Sequence, residues 1–334
     1  MDFVTLEPDD FAYGVSAEVV PGVNRIVAEN PSKFTYRGTG TYIIGDTDVA
    51  VIDPGPALDG HRDALAAALT GRTVRAILVT HCHADHSPLA AWLRTESGAP
   101  TYAFGPHGAE TAEWDIGMLP DDFGRLDLDV SANGTEAAPS ESKVEESTDV
   151  GFVPDVELRS GDHVFATGPI DVTAIHTPGH TSNHTCFAMT SESAGRVLFT
   201  GDHVMGWSTT VVSPPDGDMA EYMNSLRTVA GRRDDVAIPT HGSPISNPSH
   251  FMGQLVDHRL ERERQVLGAV RRGSSTIPKI VTDLYADVPI ELHRPAAASV
   301  LGHLVKLLGD QLVAVDDDRG VSVFPRLDST YRAV

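Results

Sequence analysis

The sequence predicts an α/β fold followed by a smaller, mainly helical C-terminal domain. Over the first two thirds of the chain, apolar β-rich runs alternate with amphipathic helical patterns, which is typical of sheets covered by helices. Several of these predicted strands end directly before histidine or aspartate. Beyond residue 249, three helical patterns and two short strand patterns follow. We therefore predict one large domain over residues 1–249 and a second domain over residues 250–334.

The charge of the chain disfavours one class of partner. The 334 residues include 25 Lys and Arg against 47 Asp and Glu, which gives a formal net charge of −22. Residues 250–334 contain eleven basic and eleven acidic residues, so the whole excess of negative charge lies in residues 1–249. Because an acidic surface repels polyanions, nucleic acid is a disfavoured partner of the larger domain.

No apolar run in the sequence is long enough for a membrane span or a signal peptide. The two cysteines, Cys82 and Cys186, are too few for a disulfide framework, which fits a reducing compartment. We expect a cytoplasmic protein that is not attached to a membrane.

The first predicted strands lead to an aspartate. Strand patterns occur at residues 23–28, 41–45 and 48–53, and a Pro-Gly pair interrupts the last one directly after Asp53. A carboxylate at a strand end is well placed to hydrogen-bond a metal-bound histidine or water. The alternative is that Asp53 is a simple turn residue. An amphipathic helix is predicted next, at residues 61–70.

A dense group of metal-ligand side chains follows the next predicted strand, and its members are His81, His83, Asp85 and His86. Side chains alternate along an extended chain, so His81 and His83 point to the same side while Cys82 points away. Asp85 and His86 turn with the chain into a predicted helix and face a second point. Imidazole and carboxylate are common metal ligands, so this stretch can serve two ions. The alternative is an incidental histidine-rich loop.

Three further predicted strands end near residues of the same chemical type, which are His180, Asp202 and His241 in chain order. One such ending would mean little. Their repetition predicts a single metal site along one edge of a sheet.

Two other stretches have a distinct composition. Residues 127–150 contain seven acidic residues and one basic residue among Ser and Ala, which predicts an acidic, disordered insertion. Helical patterns at 252–271, 276–285 and 294–308 precede strand patterns at 312–315 and 321–324, which is the outline of a winged helix.

Taken in order, these motifs resemble the metallo-β-lactamase superfamily of binuclear hydrolases over residues 20–245. The first cluster matches its HxHxDH motif, His180 its third-histidine motif, Asp202 its bridging acid and His241 its last ligand. The C-terminal domain resembles the lactamase-beta-like, endoribonuclease-related subgroup. The resemblance implies a four-layer αβ/βα sandwich for a catalytic domain at residues 1–249, followed by a winged-helix-like domain at residues 250–334.

The resemblance also implies a binuclear site. Its seven ligands would be His81, His83 and His180 for one ion, Asp85, His86 and His241 for the other, and Asp202 for both. This ligand chemistry suits two zinc ions, with iron or manganese as alternatives. The ions would hold a bridging hydroxide, and Asp85 would also act as a catalytic residue by taking a proton.

Asp202 limits the kinds of bond that we expect the site to hydrolyse. Members of the family that cleave β-lactams commonly carry Cys or Ser at this position, so we expect hydrolysis of a small-molecule ester, thioester or lactone instead. Three alternatives remain: an endoribonuclease or phosphodiesterase acting on single-stranded RNA, a nucleic-acid-binding regulator with a sensory metal domain, and an oxygen-reducing di-iron protein. The C-terminal domain is also a candidate oligomer contact.

Several further residues are candidates for the surroundings of the site. His184 would contact the ligands or the substrate, with plain surface exposure as the alternative. Tyr36 and Trp207 would line a substrate pocket. For Trp207 the alternative is core packing. We expect eight further histidines, including His61 and His303, to be surface or cap residues.

Overall fold

Two β-sheets face each other across the buried centre of the larger domain. The structure is a computed structural model, and it describes residues 3–108, 148–286, 293–316 and 325–334. Within these residues the first sheet has seven strands in spatial order: β1 (Ala17–Val20), β2 (Val23–Val27), β3 (Gly40–Gly45), β4 (Asp48–Ile52), β5 (Thr73–Leu78), β6 (Thr101–Ala103) and β7 (Val156–Glu157). The described part of the second sheet has five strands in the order β12-β11-β10-β9-β8: β8 (His163–Thr167), β9 (Ile170–His176), β10 (Thr185–Ser191), β11 (Gly195–Gly201) and β12 (Val236–Pro239).

Apolar side chains from both sheets form the central core. Tyr42 and Ile44 of β3 pack in the same buried cluster as Phe187 of β10 and Phe199 of β11. The rings of Tyr42 and Phe199 approach to 5.5 Å between centroids. Burial of these large side chains holds the two sheets face to face.

Helices cover the outer face of each sheet. Helices α1 (Asp59–Ala68) and α2 (Leu89–Ser97) pack on the first sheet through residues such as Leu65 and Leu93. Helices α3 (Met219–Ala230) and α4 (Pro248–Arg271) pack on the second sheet through residues such as Tyr222 and Leu255. The layers run helix, sheet, sheet, helix, which confirms the predicted four-layer sandwich.

Helix α4 begins earlier than its sequence pattern indicates. The Asn247 side chain caps its first turn by accepting a hydrogen bond from the His250 N–H group, and Pro248 is tolerated there because a first-turn residue needs no N–H partner. The helix also spans two cores. Its first half joins the cluster on the second sheet, and its second half joins a separate C-terminal cluster through Val266 and Val270.

The C-terminal cluster combines α4 with α5 (Ile277–Leu284), α6 (His293–Gly309) and a sheet in which the described strands are β13 (Val313–Val315) and β14 (Tyr331–Ala333). The predicted strand at 321–324 lies outside the described residues, as do residues 127–147 of the predicted acidic insertion. The partner of β13 is β14, which the sequence analysis did not predict.

The sheet topology brings distant strand ends together. Strands β4 and β5 are parallel neighbours, and so are β11 and β12. Their carboxyl ends therefore meet at the same edge, where Asp53, His81, Asp202 and His241 follow. Among the described helices, none is long and apolar enough to cross a membrane.

The packing between the sheets can be tested at Phe187, which is fully buried. Phe187→Ala should reduce the free energy of unfolding of the larger domain by about 3–5 kcal/mol, because truncation loses apolar burial and leaves a cavity. The control, Val153→Ala, truncates a side chain that is 69% exposed and should change stability by less than about 0.5 kcal/mol. Chemical denaturation measures both, and equal unfolding midpoints would contradict this account.

Candidate metal centre

Three imidazole rings converge at the edge of the two sheets. His83 Nδ1 lies 2.9 Å from His81 Nε2 and 3.2 Å from His180 Nε2. With Asp202, these residues present ligand atoms that all lie within 4.8 Å of one another. His81 and His83 do point to the same side, while Cys82 packs into the core beneath α2. This first cluster has the donor chemistry of a metal site.

A second cluster lies beside the first and is fully buried. Its members are Asp85, His86 and His241. Asp85 Oδ2 lies 3.3 Å from the Nε2 atoms of both histidines. The turn after His83 thus directs Asp85 and His86 to a second point, where they meet a histidine from the other sheet.

Asp202 lies between the two clusters and faces both. Its Oδ1 atom is 3.4 Å from His241 Nε2 and 3.7 Å from His86 Nε2. Its Oδ2 atom is 3.8 Å from His180 Nε2. One carboxylate therefore offers one oxygen to each cluster, which is the arrangement that a bridging ligand requires.

Hydrogen bonds at the opposite ring nitrogens orient three of these histidines. His86 Nδ1 lies 2.8 Å from Asp53 Oδ2, His180 Nδ1 lies 2.7 Å from the Val211 carbonyl and His241 Nδ1 lies 3.1 Å from the Gly38 carbonyl. A carbonyl or carboxylate oxygen only accepts, so each Nδ1 donates. Nε2 is therefore the ring nitrogen of each histidine that could bind a metal, in place of any proton it carries.

The electrostatics of the centre favour bound cations. Burial lowers the pKa of His81 well below its usual value and lowers that of His83 to about 3, so both rings are neutral. Burial also lowers the pKa of His241, but Asp202 and Asp85 outweigh it and raise that pKa to about 10. The second cluster therefore attracts positive charge, as a proton or as a metal ion.

Two buried atoms of the centre have no hydrogen-bond partner among the described residues. They are His86 Nε2 and Asp202 Oδ1, which face each other across 3.7 Å. Unsatisfied buried polar atoms are costly, and metal coordination would satisfy both. The residues present thus fit a pair of metal ions in both donor type and position.

Asp53 is fully buried behind the second cluster and does more than form a turn. Besides His86, it accepts hydrogen bonds from the Thr80 N–H group and hydroxyl at 2.8 Å each, and from the Thr240 hydroxyl at 3.2 Å. Its backbone has a positive φ of 48°, an uncommon conformation for a residue other than glycine. The structure thus places Asp53 where it can orient His86.

His184 is fully buried against Asp202. Its Nε2 atom accepts a hydrogen bond from the Asp202 N–H group at 3.2 Å, and its Nδ1 atom lies 2.8 Å from the Thr177 hydroxyl. Burial lowers the pKa of His184 well below its usual value, so the ring is neutral and can accept. His184 therefore supports the backbone of the candidate bridging residue.

Tyr36 and Trp207 lie beside the centre and are half-buried. Their rings stack with centroids 4.8 Å apart and planes 10° from parallel. Gly242 follows His241 with a positive φ of 109°, and a β-carbon there would lie 3.3 Å from the Trp207 ring. The aromatic pair therefore lies against the segment that carries His241, which fits the predicted pocket wall.

Threonine hydroxyls hold the carboxylates in place, a role that was not predicted from the sequence. Thr80 and Thr240 hydrogen-bond Asp53, and the Thr39 hydroxyl donates to Asp85 at 2.8 Å. Two of these threonines directly precede ligand-type histidines in the chain, at 80–81 and 240–241. That repeated Thr-His pair could have indicated from the sequence that these threonines lie beside the centre.

The expectation that His61 and His303 are surface or cap residues is wrong, because they are 3% and 1% exposed and lie inside α1 and α6. His61 Nε2 lies 2.8 Å from the Thr41 hydroxyl, and a β-carbon at Gly55 would come within 2.6 Å of that nitrogen. The absence of a side chain at Gly55 makes room for the ring. His303 lies on the buried face of α6.

Residues 36–241 match the family model of the metallo-beta-lactamase superfamily, with the ligand-type residues described above inside or at the end of the matched range. The chain belongs to the metallo-β-lactamase superfamily. Residues 276–320 match the beta-lactamase associated winged helix domain. The chain is therefore a metallo-β-lactamase superfamily hydrolase with a C-terminal winged-helix domain, as predicted.

Relatives of this metallo-β-lactamase superfamily member include named thioesterases. An atrochrysone carboxyl ACP thioesterase from Aspergillus chevalieri is 29% identical over 318 residues, which cover 91% of this chain and 86% of that protein. A lactamase-like protein from Pestalotiopsis fici is 28% identical over 310 residues, which cover 89% of this chain and 83% of that protein.

Solved structures share the fold over nearly the whole chain. A beta-lactamase domain protein from Burkholderia ambifaria superposes with a TM-score of 0.72 at 25% identity, covering 97% of this chain and 94% of that one. A metallo-beta-lactamase family protein from Thermus thermophilus has a TM-score of 0.67 at 23% identity, covering 95% and 100% of the two chains. The similarity thus extends through the C-terminal domain.

Asp53→Asn tests the support of His86. The substitution keeps the size of the side chain but removes its charge, so it should lower the affinity for divalent metal by about 10–100-fold. Asp48→Asn is the matched control. Asp48 lies in β4, the strand that precedes Asp53, and its exposed carboxylate pairs with Arg75 of β5. Competition with a chromophoric chelator measures both affinities, and the idea fails if the two variants bind metal equally well.

Alkylation tests the buried positions of the two thiols. Burial raises the pKa of Cys82 to about 11 and that of Cys186 to about 12, so both are protonated at pH 8. Because the thiolate is the reactive form, iodoacetamide should modify neither residue in the native protein within the time that modifies both in urea. Mass spectrometry counts the adducts, and rapid native labelling of Cys82 would place it outside the core.

Proposed function

We propose that this chain hydrolyses small thioesters with two bound metal ions. The observation that carries the proposal is the position of Asp202, which presents one oxygen to each of two ligand clusters. A carboxylate in that position suits a binuclear centre. The family membership supports hydrolysis, and the thioesterase relatives support the class of bond.

We assign the ligands as the geometry groups them: His81, His83 and His180 for one ion, Asp85, His86 and His241 for the other, and Asp202 for both. Their mixed imidazole and carboxylate chemistry favours zinc, with iron or manganese as alternatives. Bound there, the ions would supply a water-derived nucleophile at neutral pH and polarise the scissile carbonyl.

Asp85 is the proposed proton carrier. Burial raises its pKa, but His86 and His241 outweigh burial and hold the pKa well below its usual range, so the side chain is a carboxylate. The hydrogen bonds and ion pairs described for Asp85 all involve Oδ2. We therefore assign proton transfer to Oδ1.

Tyr36 and Trp207 are the proposed contacts for the acyl group. Their stacked rings lie half-buried beside His241, and flat aromatic surfaces bind planar or apolar groups well.

RNA cleavage is the competing function, because the winged-helix domain is a fold found in nucleic-acid-binding proteins. The negative charge of the chain favours a thioester substrate over RNA. The formal net charge is −22, and all of the excess acidic residues precede residue 250, where the site lies. Such a domain repels a polyanion.

The test combines metal analysis with assays on one preparation. We expect close to two equivalents of metal and metal-dependent cleavage of an aryl thioester, with no cleavage of single-stranded RNA or bis-p-nitrophenyl phosphate. Asp202→Asn should lower the thioesterase rate by at least about 100-fold, since it removes the charge proposed to bridge the ions.

Glu192→Gln is the matched control for Asp202→Asn, because it neutralises an exposed carboxylate in the turn between β10 and β11 and should leave the rate unchanged. Cleavage of RNA without thioester turnover would replace the proposal with the competing function. Thioester turnover that persists after complete removal of metal would also overturn it.

A further inference from the structure

A buried arginine links the C-terminal helices to the loop that follows Asp202. Arg259 of α4 is only 4% exposed, and its Nη2 group donates a hydrogen bond to the Thr210 carbonyl. Its guanidinium group also lies over the ring of Tyr222, 5.3 Å from the centroid. These described contacts are a carbonyl and an aromatic face, and neither is a carboxylate.

Burial of a guanidinium group destabilises a protein unless the group has suitable partners. Arginine stays charged in proteins, and a charge taken out of water destabilises the fold unless its partners compensate. The Nε group of Arg259 has no hydrogen-bond partner among the described residues. An apolar side chain would fill the same space at lower cost, so the bond to Thr210 is the feature to explain.

The segment that Arg259 holds contacts two candidate metal ligands. The Thr210 hydroxyl lies 2.8 Å from the Asp202 carbonyl and 3.0 Å from the His203 carbonyl, and it can donate to either. The next carbonyl, that of Val211, accepts the Nδ1 hydrogen bond of His180 at 2.7 Å. Two adjacent residues of one loop therefore support both ligands.

Other contacts fix the same loop from α3 and from α6. The Tyr222 hydroxyl donates to the His203 carbonyl at 3.1 Å, beneath the Arg259 guanidinium group. On α6, a β-carbon at Gly302 would lie 3.0 Å from the Val212 carbonyl, so this helix packs closely on the loop. The loop is thus held between the second sheet and the C-terminal helices.

We propose that Arg259 is a positioning residue for the metal centre, acting through Thr210 and Val211 on Asp202 and His180. By fixing the Thr210 carbonyl, it sets the position of the Val211 carbonyl that directs the His180 ring. The inference rests on the ligand roles proposed above. It makes the metal affinity of the catalytic domain depend on a helix that it shares with the C-terminal domain.

The test measures the zinc affinity of full-length variants by competition with a chromophoric chelator. Arg259→Met keeps much of the buried stem and removes the donor, and we expect it to weaken zinc binding by about 10–100-fold. Arg259→Lys keeps a cationic donor and should recover most of that loss. A residue that only stabilises the fold would change the unfolding midpoint and leave the zinc affinity unaltered.

Arg262→Met is the matched control. Arg262 lies on the same helix, and its guanidinium group contacts the Tyr285 ring at 4.3 Å, away from the Asp202 loop. This variant should keep the wild-type zinc affinity. Because it removes the same charge from the same helix, it separates the contact with Thr210 from a general effect of charge.

Thr210→Val provides a second route that leaves Arg259 in place, and it decides the question if Arg259→Met does not fold. Removing the hydroxyl breaks the contact with Asp202 and should also weaken zinc binding. The double variant should bind zinc as tightly as whichever single variant has the lower zinc affinity, because both substitutions interrupt the same linkage.

Two results would overturn the inference in distinguishable ways. If the wild type binds two equivalents of zinc and neither Arg259→Met nor Thr210→Val changes the affinity, the positioning role fails and the proposed function stands. If the wild type binds no metal, the proposed ligand set fails and the inference fails with it.

Discussion

The burial of several carboxylates at one place is the constraint on which the rest of the structure depends. Asp53, Asp85 and Asp202 lie together at the sheet edges, shielded from water and close to histidines. Like charges at such distances destabilise a fold unless cations and hydrogen-bond donors surround them. The histidines, the threonine hydroxyls and the proposed metal ions all meet that requirement, so the stability of this region and its chemistry have one origin.

The same network joins the two halves of the sandwich. Thr80 of the first half and Thr240 of the second both hydrogen-bond Asp53, and the Tyr42 hydroxyl donates to the Pro239 carbonyl at 2.6 Å. The Arg25 guanidinium group crosses in the same way to the Gly242 carbonyl at 2.9 Å. These contacts fix the relative position of strand ends that are far apart in sequence. The proposed binuclear centre needs that accuracy, because each ion would take ligands from both halves.

The C-terminal domain packs as a continuation of the catalytic domain. Helix α4 contributes to the cluster on the second sheet and to the C-terminal core, and α6 packs on the loop that follows Asp202. Structural relatives share the fold over nearly the full length of the chain. The presence of the winged-helix domain can be explained without nucleic-acid binding. The domain packs on the loop that follows Asp202, and this loop contacts the candidate ligands Asp202 and His180.

The sequence by itself indicated alternating strands and helices, with ligand-type residues at several strand ends, because periodicity and strand endings are local properties. The order of its motifs identified the family by resemblance. It also made Asp53 and His184 candidates for the surroundings of the centre and directed Cys82 away from it. Only the tertiary structure decided that His61 and His303 are buried, that threonines hold Asp53, and that Arg259 reaches the loop of Asp202. These contacts join segments with no shared local pattern, such as Thr80 with Asp53 and Arg259 with Thr210. Side-chain periodicity carries no information about which distant segments will pack together, so contacts of this kind depend on the folded arrangement of the sheets and helices.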